Sequence, residues 1–366
     1  MQMNSNNHHL VDIDNAIYDL RRGISVVVDD LKQCFAVMGV ERVSQERLDA
    51  FSASGNGKVQ LIVTGNRLQA LGLDISPQHA YSLAHPSGFN FELIAQLTHP
   101  LTSAMSQLAF KEHLQDLVIT QADHFAQSCL GLSKLARLLP AVVLVEMPSS
   151  GALPGVSPDS INAYASNAAS ALTLVSEARV PLESVEQAKV LAFRPEYGGI
   201  EHLAIVIGDI DVNLPVLIRL HSECFTGDLL GSLRCDCGSQ LRGAIDVMAK
   251  NGSGILLYLA QEGRGIGLVN KLRAYQLQDI GHDTVDANLQ LGFDSDERNY
   301  SPAVAILNLL GVSQVRLMTN NPIKVKALSE WGVEVTERVP HAYPANPHNE
   351  HYLQTKVKKS GHLIAI

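Results

Sequence analysis

The chain has 366 residues, of which 46% are hydrophobic, and carries a formal net charge of −9. This is enough length for two domains and enough apolar content for sizeable cores, while the acidic balance excludes the usual nucleic-acid or membrane-surface binder, which presents a basic face. Five cysteines, an odd number with three of them clustered, exclude a secreted disulfide framework, and the absence of a leader pattern or a bilayer-length apolar run points to the cytoplasm.

In the first half, residues 12–22 space Ile13, Ile17 and Leu20 as a helix, and Gly23 stops it. Residues 24–28 are a β-branched strand ending at Asp29 and Asp30. Residues 59–63 form another strand, followed by TGNRLQALGL. A third strand covers 142–146, after the helical LGLSKLARLL, and residues 147–160 are rich in Pro, Gly and Ser and predict a loop. Strands and helices alternate irregularly, the pattern of a mixed α/β or α+β domain. This half shows no metal-ligand cluster. Cys34 and Cys129 are isolated, and the Asp123–His124 pair suits a helix cap or the surface.

The second half begins after FRPEYGG. Strands are expected over 202–207 and 215–220, and the second runs into HSECFTGDLLGSLRCDCG, where Cys224, Cys235 and Cys237 are spaced C-x10-C-x-C. Structural zinc sites usually close with four Cys or His ligands, whereas catalytic sites use three and leave one position open. Three cysteines with no evident fourth ligand match the second pattern. The alternative is three buried thiols or a stray disulfide. Helix 241–250 and strand 254–259 follow, then QEGRGIGL, in which Gly263, Gly265, Gly267 and Arg264 form a glycine loop. Such a loop can bring backbone N–H groups and an Arg to phosphates, or it can be only a tight turn.

After the helical KLRAYQLQDIG comes LGFDSDERNYSPAVAILNLLG. Its acidic loop offers Asp294, Asp296, Glu297 and Arg298, and Ser301 and Pro302 are expected at the N-cap and first position of a helix. A strand at 314–318 leads into TNNPIKVKALSEWG, where Asn321 caps a helix with Pro322 at its first position and Lys324 in its first turn. That combination suits an anion as well as it suits an ordinary cap. A strand at 333–339 and a polar, basic tail complete the chain.

These motifs bear a close resemblance to the GTP cyclohydrolase II family. HSECFTGDLLGSLRCDCGSQL, LLYLAQEGRGIGLVNKLRAYQLQD, DTVDANLQLGF, DERNY, VRLMTNNPIKV and NEHYLQTKVKKSGHL occur in the family's order and cover nearly the whole second half. The resemblance implies that Cys224, Cys235 and Cys237 hold one zinc ion per subunit. It implies GTP contacts from Arg219, Leu220, His221, Ser222 and Glu223, and from Gln240, Glu262, Gly263, Arg264, Thr284, Thr319 and Lys324. Tyr275 matches a catalytic tyrosine, Asp296 the proton acceptor and Arg298 the proposed nucleophile. The implied reaction is zinc-dependent hydrolysis of GTP to formate, pyrophosphate and a diaminopyrimidine, with magnesium on the GTP phosphates, in a homodimer that needs neither nucleic acid nor membrane.

The first half resembles, in outline, 3,4-dihydroxy-2-butanone 4-phosphate synthase, through GISVVVDD, TGNR and LSKLARLLPAVVLVE. That family follows its Asp-rich strand end with a run carrying metal-binding and catalytic acids, whereas Asp30 here is followed by LKQCFAVMG. Phe125 and Gln127 stand where the family has a metal-binding His and a Glu, and neither can do that work. The expected organisation is a degenerate synthase-like domain over 1–195 and a cyclohydrolase domain over 196–366. Two alternatives use the same residues: a paralogue that opens a related ring in nucleobase breakdown, and a silent zinc- and nucleotide-binding scaffold.

Overall fold

The computed structural model describes residues 5–55, 58–101, 114, 116–148, 155–350, 354, 357–358, 361 and 363. The chain is mixed α/β, as expected, and forms two compact units. One comprises Met1–Tyr164 with Val269–Glu297, the other Ala165–Leu268 with Arg298–Ile366. The expected division at 195/196 lies thirty-one residues beyond the first of these boundaries, 195 − 164. It also takes no account of Val269–Glu297, a stretch of the second half that folds with the first.

In the first unit, the helix Ser5–Arg22 buries Ile13, Ile17 and Leu20. Gly23 ends it at φ +77°, where a Cβ would lie 2.6 Å from that of Arg42. The sheet contains β1 (Val26–Asp29), β2 (Cys34–Gly39), β3 (Gln60–Thr64), β4 (Ala80–Ala84), β5 (Val118–Gln121), β6 (Ala141–Glu146) and β7 (Gly155–Val156), ordered β5-β4-β3-β6-β2-β1-β7. All neighbours are antiparallel except β1 and β7. The helix His124–Leu135 packs its apolar side into this core, and Asp123 caps it by accepting from Ala126 N at 2.8 Å. Phe125 is buried in the same core, its ring 5.4 Å from that of Phe35, while the Gln127 side chain donates to Ala122 O. Residues 149–154 of the expected 147–160 loop lie outside the described residues. Its last part departs from a loop, because Gly155–Val156 pairs with β1 and Pro158 opens the helix Pro158–Ser170.

The second sheet comprises β8 (Leu172–Arg179), β9 (Ala188–Pro195), β10 (His202–Ile207), β11 (Val216–Ser222), β12 (Gly254–Leu259), β13 (Gln314–Met318) and β14 (Glu334–Val339), ordered β14-β13-β11-β12-β10-β9-β8. The half from β8 through β10 to β12 is antiparallel, and β12, β11, β13 and β14 are parallel. The chain leaves β11 for β12 on one side and returns in β13 on the other. The carboxyl end of β11 is therefore a topological switch point, where open α/β sheets bind ligands. The helix Ser301–Leu309 begins one residue earlier than expected. Its cap position is Tyr300, the capping oxygen comes from Asn299, which accepts from Ser301 N at 2.9 Å, and the buried Ser301 Oγ has no partner among the described residues. Asn321 does cap Pro322–Glu330, accepting from Ile323 N.

Phe193 on β9 is fully buried in the second core, so Phe193→Ala should destabilise the protein by about 3–5 kcal/mol. Thermal or urea unfolding measures this, and a melt equal to wild type would place β9 outside that core.

Candidate metal and nucleotide site

Three parallel strands deliver the site. The burial of β11 is nearly continuous, as in a central parallel strand, yet it contains Arg219 and His221, which are 6% and 3% exposed. Buried polar groups in such a strand must be bonded. Arg219 donates to Met318 O at 2.9 Å and to the Gln240 side-chain oxygen, which belongs to the helix Cys237–Asn251. Gln240 is held in turn by Asp236, and its backbone carbonyl accepts from His341 Nε2 at 2.8 Å. Burial lowers the Arg219 pKa to about 10, and burial with the nearby Arg219 charge lowers that of His341 to about 4. Two buried nitrogens in this strand, Arg219 Nε and His221 Nδ1, have no partner among the described residues.

Beyond β11 the chain makes a short π-type turn, Phe225–Leu229, which folds Cys224 back toward Cys235 and Cys237. The three Sγ atoms lie within 4.8 Å of one another, and those of Cys224 and Cys235 are 3.8 Å apart. Zn–S bonds of about 2.3 Å place tetrahedral sulfurs about 3.8 Å apart, so the thiols are spaced for a shared ion. All three are free cysteines. Gly227 makes the approach possible, because a Cβ there would meet Cys235 Sγ at 2.8 Å and Cys224 Sγ at 3.1 Å. Hydrogen bonding to Cys224 raises the Cys235 pKa to about 11 and also raises that of Cys237. Thiols packed this closely resist ionising together unless a cation joins them. Cys237 opens a helix, whose dipole favours a thiolate. The donor set therefore fits zinc.

Asp228, which the sequence reading passed over, organises this turn. Its side chain is 7% exposed and accepts from Cys224 N at 3.0 Å, Tyr258 OH at 3.0 Å and His221 Nε2 at 3.0 Å. The His221 ring stacks on Tyr258 with centroids 5.5 Å apart. Burial lowers the His221 pKa, against the opposing pull of Asp228. One carboxylate thus ties a cysteine backbone, a histidine and a tyrosine together. The sequence clue was an aspartate inside the cysteine stretch itself.

The glycine loop follows β12. Gly263, Arg264 and Gly265 all take positive φ, +66°, +62° and +98°. The left-handed region is easy for glycine and costs about 1–3 kcal/mol at Arg264, the kind of backbone outlier that accumulates at functional sites. Glu262 is buried, and its carboxylate accepts from Phe225 N at 2.6 Å and Gly263 N at 3.0 Å, so it joins the cysteine turn to the glycine loop. Gln261 donates to Ser222 Oγ and accepts from Asn299 N. Glu223 follows β11, its N–H donating to Leu259 O at 2.8 Å, and Leu220 is fully buried.

After β13, Thr319 Oγ1 accepts from Asn321 N. Lys324 is 6% exposed and donates to Leu220 O at 2.7 Å, so its ammonium lies at the end of β11. Tyr300, a further residue the sequence reading missed, has the Lys324 ammonium and the Arg298 guanidinium each 5.8 Å from its ring centre. The second unit thus brings together Arg219, His221, Ser222, the three cysteines, Gln240, Glu262, Arg264, Arg298, Thr319 and Lys324 at the carboxyl ends of β11, β12 and β13. Tyr275, Thr284 and Asp296 fall on Val269–Glu297 and fold with the first unit. Tyr275 there has Lys271 Nζ 5.7 Å from its ring, and Thr284 starts the helix Thr284–Gln290 behind its cap, Asp283. Among the described residues, no helix is long and apolar enough to cross a membrane.

This fold and site define an α/β protein with three cysteines spaced to hold a metal ion and an arginine-bearing glycine loop at a sheet switch point. The GTP cyclohydrolase II family model matches residues 173–340. The chain is 45% identical to the GTP cyclohydrolase-2 of Azospirillum brasilense, over 96% of this chain and 94% of that one. It is 60% identical to the GTP cyclohydrolase-2 of Pseudomonas paraeruginosa, over 47% of this chain and 84% of that one. It is also 34% identical to the riboflavin biosynthesis protein RibBA of Parabacteroides distasonis, over 96% and 97%. Among solved structures, a two-domain 3,4-dihydroxy-2-butanone 4-phosphate synthase from A. baumannii, RibBX, matches with a TM-score of 0.32 at 15% identity, over 90% of this chain and 99% of that one. The chain belongs to the GTP cyclohydrolase II family.

Because Asp228 braces Cys224, Asp228→Asn should weaken zinc binding by about 10- to 100-fold in chelator competition while leaving the fold intact. Unchanged affinity would show that the carboxylate does not support the cysteine turn.

Proposed function

We propose that this chain is a zinc-dependent GTP cyclohydrolase II with no second activity. It converts GTP to 2,5-diamino-6-(5-phosphoribosylamino)pyrimidin-4(3H)-one, formate and pyrophosphate at the entry to riboflavin biosynthesis. The observation that carries this is the Cys224–Cys235–Cys237 cluster at the carboxyl end of β11, inside a chain related to a named GTP cyclohydrolase-2 along nearly its whole length. Homodimerisation is inferred from the family alone.

Three thiolates would hold the zinc ion and leave a position for water. A zinc ion so bound lowers the pKa of water toward neutrality and supplies hydroxide. One water opens the imidazole ring of guanine, a second frees C8 as formate, and a third takes the place of pyrophosphate. Arg264, Arg298 and Lys324 would balance the triphosphate charge, and magnesium would screen part of it. Arg219 and Gln240 fix the floor beneath the substrate through their mutual hydrogen bond. Tyr275 donates a proton or orients water, and Asp296 accepts one. Arg298 serves either as the nucleophile that the family resemblance implies or as a phosphate clamp, the role that suits a guanidinium protonated at neutral pH, and trapping a covalent guanylyl adduct by mass spectrometry separates the two. We infer that the N-terminal region is a degenerate synthase-like domain. Phe125, where that chemistry needs a ligand, is a core residue here.

Incubated with GTP, zinc and magnesium, the full chain should release formate and pyrophosphate in equal amounts together with the diaminopyrimidine. Turnover of another nucleotide in preference to GTP would favour the paralogue, and GTP binding without formate would favour the scaffold. With ribulose 5-phosphate and magnesium the same preparation should yield no butanone phosphate. Its appearance would restore the synthase activity.

A further inference from the structure

The TGNR run has no part in the chemistry above, yet each of its four residues is closely fitted. Thr64 caps the short helix that follows, accepting from Arg67 N at 3.2 Å. Gly65 lies where a Cβ would meet Ser76 O at 2.1 Å. The Thr64 hydroxyl donates to Gly292 O at 2.7 Å, and the Asn66 amide to Phe293 O at 3.0 Å and Asp294 Oδ1 at 3.1 Å. Arg67, 2% exposed, donates to Leu97 O at 2.8 Å, His99 O at 3.2 Å and Gln290 O at 2.9 Å. These carbonyls lie at the C-terminal ends of the helices Phe91–Thr98 and Thr284–Gln290, where orphan acceptors and the dipole both favour a cation.

The targets of these bonds form one short stretch. Residues 290–297 lie inside the region matched by the cyclohydrolase family model, but they fold in the first compact unit. Gly292 turns the chain there at φ +88°, and a Cβ would meet Thr64 Oγ1 at 3.0 Å and Pro140 Cγ at 3.1 Å. Lys134, on the helix His124–Leu135, completes the grip by pairing with Asp294 at 3.0 Å and Glu297 at 2.7 Å. Glu297 also accepts from Asp294 N at 2.9 Å. The loop is therefore fastened at 290, 292, 293, 294 and 297, on both sides of Asp296. Upstream in the same segment, Arg273 forms a bidentate pair with Glu41 at 2.8 and 2.9 Å.

We propose that Thr64, Asn66, Arg67 and Lys134 of the N-terminal region are positioning residues for the cyclohydrolase reaction, holding the loop that carries Asp296. The inference rests on the cyclohydrolase reading above. It assigns the synthase-like domain a present task, which is to scaffold a proton acceptor belonging to the other half of the sequence. Catalysis is sensitive to displacements of about 1 Å at a reacting group, so loosening such a loop costs rate more than affinity.

The test uses the full chain and the substitutions Lys134→Met, Lys134→Arg and Asn66→Ala, with kcat, KM for GTP and zinc content measured for each. Lys134→Met keeps most of the aliphatic stem of the side chain, so the variant should fold. Lys134→Met and Asn66→Ala should lower kcat about 10- to 100-fold, with KM and zinc per chain near wild type, and Lys134→Arg should recover most of the loss. Wild-type kcat in both Lys134→Met and Asn66→Ala would overturn the proposal, as would activity lost only in step with zinc and folded protein. A wild-type protein that releases no formate from GTP would instead remove the cyclohydrolase reading, and this inference with it.

Discussion

Everything in the second unit depends on three sulfur atoms being brought close enough to repel one another. Packing free thiols this way raises the pKa of at least two of them and leaves little room for the backbone. The chain accepts that cost through a glycine that permits the approach, Gly227, and a buried carboxylate, Asp228, that ties Cys224 to His221 and Tyr258. Such a cluster suits a cation, because thiolates shared around a metal turn mutual repulsion into coordination.

The surrounding elements extend from that turn. Glu262 links Phe225 N to the glycine loop, Lys324 reaches Leu220 O near the carboxyl end of β11, and Arg219 reaches Gln240 on the helix that Cys237 begins. A nucleotide would meet cations and backbone donors set on the ends of three parallel strands rather than on long loops. Preorganised donors of this kind need not reorganise as charge develops.

What could be read from the sequence had local causes. The cysteines stand close together along the chain, and β10, β12 and β13 are short apolar runs whose ends could be placed to the residue. The helix Pro322–Glu330 was announced by its own Asn–Pro start. Other features were hidden for physical reasons. β8 has one buried residue and seven exposed ones, so an edge strand left no core pattern to detect, and the domain boundary was expected too late. The cap before Ser301 was misread because Asn299 supplies the oxygen from two residues away. Asp228 also reaches Tyr258 and Tyr300 also faces Lys324, contacts that only the fold makes. The TGNR run could be seen as a motif, but its targets at Gln290, Gly292, Phe293 and Asp294 lie more than two hundred residues downstream, a distance no local pattern spans.

The most direct measurement of the central claim is metal analysis of the purified, active, unchelated chain beside Cys235→Ser. The account expects close to one zinc per wild-type chain, bound together with formate-releasing activity, and neither in the variant. Full activity in a wild-type preparation carrying no zinc or other divalent ion on those sulfurs would contradict it.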